Sequence, residues 1–177
     1  MGEKEDRLIQ QLRKEANVDV HDEERCRAAT RNWMTTMDLM TASFAEKFGW
    51  DAVNEQLRVF WKKRAETKVK PRVASYLDQG LPGDCVTLGK MMALNAAGHI
   101  ERKFLEITPG RLHIVRRGCD EALALKQAGL LGKVFWPCTT VWTQARIDVL
   151  NPKIRLTVVE AECQGGDVCD LLFELRE

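Results

Sequence analysis

The chain has 177 residues, of which 45% are hydrophobic and 30% charged, and its formal net charge is +1. A chain of that length and balance buries enough apolar surface to fold without disulfides or metal, and without a basic excess it has no electrostatic case for a nucleic-acid partner. No apolar run approaches the length of a membrane span, and the charged opening Met1–Arg7 lacks the apolar segment of a secretory signal. The expectation is a cytoplasmic protein, where thiols stay reduced. Its six cysteines then read as ligands, nucleophiles or small core residues.

Residues 1–20 read as a charged N-terminal helix or extension, and residues 21–177 as one domain. A long helix is predicted from Asp22 to Phe48, with Cys26, Ala29, Trp33, Met37, Met40, Phe44 and Phe48 as its apolar stripe. Gly49 ends it. A second helix begins near Asp51, is kinked or restarted by Pro71, and runs to Gly80. After the Leu81-Pro82-Gly83 turn, Asp84 is placed to N-cap a third helix carrying Leu88, Met91 and Met92.

From His99 the periodicity changes. Residues His99–Thr108 and Arg111–Arg117 read as strands joined at Pro109-Gly110. Cys119–Ala128 reads as a short helix, and Pro137 opens another over about residues 137–150. Lys153–Glu162 and Cys169–Arg176 form a closing hairpin around Gln164-Gly165-Gly166-Asp167. The predicted class is α+β: a helical N-terminal half packed on a four-stranded antiparallel sheet, with two further helices.

The chemistry-bearing residues gather in the last third. Cys163 and Cys169 flank a glycine-containing turn, which brings two thiols within reach of one ion. Cys169 shares a strand face with Leu171, Phe173 and Leu175, so it points into the core. Glu160 continues the apolar row Ile154, Leu156, Val158, which makes it either a strand-end residue in solvent or a buried carboxylate needing a partner. Glu160 and Cys163 reach one metal only if the strand bulges or ends near residue 161. Cys138 and Cys119 each stand at a helix start, where a thiolate is favoured, or else are small buried hydrophobes. Cys26 and Cys85 read as core residues. His113 is an alternative general base, and Arg111, Arg116 and Arg117 form a basic patch that either faces solvent or holds a carboxylate. Familiar nucleotide-binding and serine-hydrolase motifs do not occur.

The run Val159-Glu160-Ala161-Glu162-Cys163-Gln-Gly-Gly-Asp167-Val-Cys169, closing on Phe173, resembles the C-terminal motif of the 4-vinyl reductase domain. The wider layout resembles the L-2-amino-thiazoline-4-carboxylic acid hydrolase family. That likeness is carried by Phe44-Ala-Glu-Lys-Phe-Gly-Trp50, the helix from Cys119 to Gly129, Cys138 and the closing cysteine pair, and it extends over residues 30–177. The resemblance implies a zinc ion held by Cys138, Glu160, Cys163 and Cys169. The turn between the last two cysteines is shorter than in the phenol sensors of that group, and Cys119 is the alternative fourth ligand. An iron–sulfur cluster is the alternative cofactor.

Two functions follow as expectations. One is a hydrolase opening a small C–N/C–S heterocycle, with Cys119 as nucleophile or Glu160 as general base. The other is a zinc-containing small-molecule sensor acting with a partner protein. Trp33, Met34, Met37 and Met40 give the first long helix surplus apolar surface, which predicts a homodimer through the N-terminal helices.

Overall fold

The computed structural model describes the backbone of residues 20–94, 99–135 and 138–176, and their side chains except at 20–26, 94, 99, 100, 138 and 139. The predicted charged segment 1–20 lies, but for Val20, outside the described residues. So do the side chains of Cys26, His21, His99 and Cys138.

The class is the predicted one. Helix α1 (Val20–Phe48) is followed by α2 (Trp50–Arg64), a π-helical turn (Ala65–Val69), α3 (Lys70–Asp78) and α4 (Cys85–Leu94). Strands β1 (His99–Ile107) and β2 (Arg111–Cys119) form a hairpin. Helix α5 (Asp120–Gln127), a second π-helical turn (Cys138–Trp142) and α6 (Thr143–Leu150) intervene before the β3 (Ile154–Glu160) and β4 (Cys169–Leu175) hairpin. The four strands form one antiparallel sheet in the order β1-β2-β4-β3, so β2 and β4 are its centre.

The sheet's inner face is built in rows, because alternate residues of each strand point to one side. The first row is Ile107, Leu112, Phe173 and Leu156, and the second is Phe104, Ile114, Leu171 and Val158. Helix α4 lies against β1, β2 and β4, and α6 against β3. Together they enclose the main core around Leu88, Leu112, Ile114, Ile147, Leu171 and Phe173. Cys85 belongs to this core; burial first, then the charge of Asp84, pushes its thiol up to about 11, so it stays a protonated small hydrophobe.

Pro71, which has no backbone N–H, removes a donor just where the helix would continue. The chain widens into the π-helical turn immediately before it, and a new helix starts at Lys70 with Pro71 in its first turn. The helix predicted after Pro137 likewise opens with a π-helical turn.

The first helix departs from its predicted orientation. Its buried row is Met34, Asp38, Thr41 and Ala45, while Trp33, Met40, Phe44 and Phe48, all in the predicted core stripe, are exposed. Met34, assigned above to surplus apolar surface, is 1% exposed. Polar contacts decide this orientation. Arg27 donates to both oxygens of Asp120 at 2.9 and 3.0 Å, and Arg31 adds a third bond at 3.0 Å. These pairs turn the Arg27–Arg31 side of α1 toward α5, and the apolar stripe is left outward. Asp38 is carried inward with them; burial raises its carboxyl to about 6, and its Oδ2 has no partner among the described residues.

Candidate functional site

Beyond its two apolar rows, the inner face of the sheet changes chemistry. The third row is Arg102, Arg116 and Cys169, in register across β1, β2 and β4. Beyond Arg116, β2 ends at Cys119, and Cys119 and Cys163 pack together with Ala122 and Ala161, against Val158. Cys119, Cys163 and Cys169 are all buried, and Cys169 lies on the same inward face as Leu171 and Phe173. One end of the sheet thus carries three of the cysteines and the buried arginine.

The turn between Cys163 and Cys169 is set by backbone geometry. Strand β3 ends at Glu160 after a register shift that begins at Val158, and a 3-10 turn, Glu162–Gln164, follows. Gly165 closes that turn at φ 97°, a conformation that favours glycine. Gly166 has no room for a side chain, since a Cβ there would lie 2.5 Å from Glu160 Cγ. Glu160 folds over this loop, and its Oε1 accepts the amide N–H of Asp167 and that of Val168, the latter at 3.4 Å. One oxygen of its carboxylate, Oε1, is thus held by the hairpin loop.

The neighbouring Glu162 is the carboxylate beside the thiols. Its two oxygens accept the Gly118 and Cys119 amide N–H groups at 3.0 and 3.1 Å, and Cys169 Sγ stands 3.9 Å from Oε2. Cys119 is the last residue of β2 and the cap of α5, and its thiol donates to Glu121 Oε2 at 3.0 Å. Burial pushes the Glu121 carboxyl up. The thiol bond, a backbone bond and the charge of Arg116 pull it down, and Asp120 adds to the rise; the net direction is up.

For zinc, the fit is partial. The thiols of Cys119, Cys163 and Cys169 are the soft donors such a site needs. Among the described residues, however, no three His, Cys, Asp or Glu side chains converge closely enough to hold an ion. The backbone of Cys138 opens the second π-helical turn, and its side chain is outside the described set.

A cavity of about 570 Å³ lies along β3. Its apolar lining is Ala65, Val141, Ala145, Leu156 and Val158; Lys62, Glu66, Lys70, Gln144 and Asp148 supply polar groups. Both π-helical turns contribute, the first through Ala65 and Glu66 and the second through Thr140 and Val141. Val158 links this cavity to the cysteine cluster. None of the cavity residues stood out in the sequence.

The remaining predicted candidates separate. His113 pairs with Asp170 at 2.8 Å, half-buried on the outer face of the sheet. Of the basic patch, Arg111 is exposed and paired with Glu106 and Glu174, and Arg117 is exposed. Arg116 points inward and is 6% exposed, with Nε and Nη2 lacking any partner among the described residues. Leaving a buried donor unmet costs about 1–3 kcal/mol.

No family model matches the chain, and no curated protein matches it in sequence. Among solved structures it is similar to the phenol-responsive sensory domain of the transcription activator PoxR with phenol. That likeness has a TM-score of 0.46 at 12% identity, over 80% of this chain and 74% of the other. It is also similar to a trafficking protein particle complex subunit 3 from Naegleria fowleri covalently bound to palmitic acid, with a TM-score of 0.46 at 10% identity over 85% and 97% of the two chains. Among the described residues no helix is long and apolar enough to cross a membrane.

Proposed function

We propose that the chain is a small-molecule-binding domain whose ligand occupies the cavity along β3. The observation that carries this reading is the cavity itself: an apolar lining, polar groups that converge on it from α2, α3 and α6, and a volume in the range of small-ligand sites. Such a ligand stabilises the folded state by mass action. A neutral single-ring aromatic such as anisole is expected to raise the thermal midpoint saturably. Val141→Trp, which fills the cavity, is expected to abolish that shift while leaving the protein folded. An anisole shift that survives Val141→Trp would move the ligand elsewhere.

Zinc is part of the proposal, held by Cys138, Cys163 and Cys169. The fourth ligand is then Cys119 or Glu160, whose Oε1 is held by its own loop; Glu162, whose Oε2 stands 3.9 Å from Cys169 Sγ, is a third candidate. Hydrolysis of a small C–N/C–S heterocycle is the second reading, favoured by one observation. The Cys119 thiol already donates to Glu121, a carboxyl raised by burial, which is the arrangement of a nucleophile and its proton acceptor. A sensor would act through a partner protein.

The exposed apolar stripe Trp33, Met40, Phe44 and Phe48 on α1, continued by Val59 and Phe60 on α2, is proposed as the face covered by a second copy of the chain. A dimer by light scattering at micromolar concentration, reduced to monomer by Phe44→Lys, is the expected outcome; monomeric wild-type protein would refute it.

A further inference from the structure

The third inner row of the sheet violates the rule that built the first two. Leu112 and Ile114 are fully buried and apolar, and Arg116 occupies the next inward position of the same strand. Its cross-strand neighbour on β1 is Arg102, another arginine. Like charges directly opposite on one face of a sheet repel. Arg102 is drawn aside by the last turn of α4, where its Nη1 donates to the Ala93 carbonyl at 3.3 Å, a helix end that favours a cation. Arg116 has no such relief. The Glu121 carboxyl feels its charge, but that group accepts the Cys119 thiol, and among the described residues no ion pair to the guanidinium is seen. Nε and Nη2, the two nitrogens that make one edge of the guanidinium fork, are both buried and have no partner among the described residues. A planar pair of donors with this edge free matches the two oxygens of one carboxylate or phosphate group.

We infer that Arg116 is an oxyanion-binding residue: it receives the carboxylate or phosphate group of a small ligand under helix α4, beside Cys169. The site is distinct from the cavity along β3, from which Leu171 and Cys169 separate it across the sheet. An apolar isostere of a buried unpaired charge is neutral or stabilising, whereas an isostere of a structural ion pair broken on one side is destabilising. That difference supplies the test.

The full chain is melted with benzoate, with inorganic phosphate and with benzyl alcohol, the neutral counterpart of benzoate. At least one anion is expected to raise the midpoint saturably at millimolar concentration and benzyl alcohol to do less. A benzoate response identifies a carboxylate ligand, and a phosphate response a phosphorylated one. Arg116→Met is expected to melt at or above the wild-type temperature without anion and to lose the anion shift. Arg116→Lys, which keeps the charge but not the fork, is expected to bind the anion at least tenfold more weakly. Wild-type protein indifferent to both anions, an Arg116→Met variant that keeps the shift, or one that melts well below wild type without anion would each overturn the inference. An anisole shift without an anion shift sinks this site and leaves the cavity reading standing; the reverse sinks the cavity reading alone.

Discussion

Asp120→Ala is expected to cost about 3 kcal/mol of unfolding free energy, because it removes the one buried anion that two arginines share. Asp120 is 1% exposed and sits at the start of α5, directly after Cys119. It accepts three bonds from Arg27 and Arg31, so one carboxylate carries the polar part of the α1–α5 contact, beside the packing of Ala42 near Leu125. Burial alone would raise that carboxyl. The hydrogen bonds and charges of the two arginines outweigh it and hold it below its ordinary value of 3.8. A carboxyl depressed in the folded state contributes stability that is full above its unfolded pKa and is lost as pH falls through the folded one. The Asp120 contribution is therefore intact at neutral pH and fades only below about pH 4. Denaturant unfolding at pH 7 measures the cost. Arg31→Ala, which removes the more exposed partner, is expected to cost about 1 kcal/mol. An unchanged midpoint in Asp120→Ala would show that α1 is docked by its apolar contacts alone.

The second large effect is expected at the thiols. Purified protein should carry about one zinc per chain, and the Cys163→Ser/Cys169→Ser variant should carry none. With the metal lost, the variant should also lose at least the roughly 3 kcal/mol that a ligand at a hundredfold excess over its dissociation constant confers. Metal analysis and thermal melting read the two together. Full occupancy in the double variant would end the zinc proposal, and strong visible absorption would replace zinc with an iron–sulfur cluster. Cys119→Ala then assigns the remaining thiol: retained metal leaves Cys119 for chemistry with Glu121, and lost metal makes it a ligand.

Both strand hairpins, the order of helices and strands and the inward direction of Cys169 were legible in the sequence, because turn residues and two-residue alternation are local signals. What escaped was decided at a distance or by a one-residue insertion. The apolar stripe of α1 predicted its buried face, yet Asp120, far along the chain, draws Arg27 and Arg31 in and turns the stripe out. The strand end has a register shift between Val158 and Glu160, and Glu162, which the sequence did not single out, stands beside Cys169; no residue type announces such a shift. One predicted helix widened into a π turn before Pro71 and another opened with one, and both turns line the cavity. Arg116 is the instructive case. Taken with Arg111 and Arg117 it reads as a solvated basic patch, but Leu112, Ile114 and Arg116 already alternate, and the period places it inside.

The strand order has a kinetic consequence. The β1–β2 and β3–β4 hairpins close short loops, while the central β2–β4 ladder joins Arg111 to Glu174 and Arg116 to Cys169, across α5, the second π-helical turn, α6 and β3. Closing so long a loop is entropically costly and slow, so two preformed ribbons must find each other late in folding. The three thiols, Glu162 and Arg116 are brought together only by that last docking. Until it happens, each ribbon exposes an unpaired edge and a row of apolar side chains, and Cys119 lies on one ribbon while Cys163 and Cys169 lie on the other. Before that docking the thiols on the two ribbons are far apart and the apolar edges are open, which is the stage most exposed to aggregation.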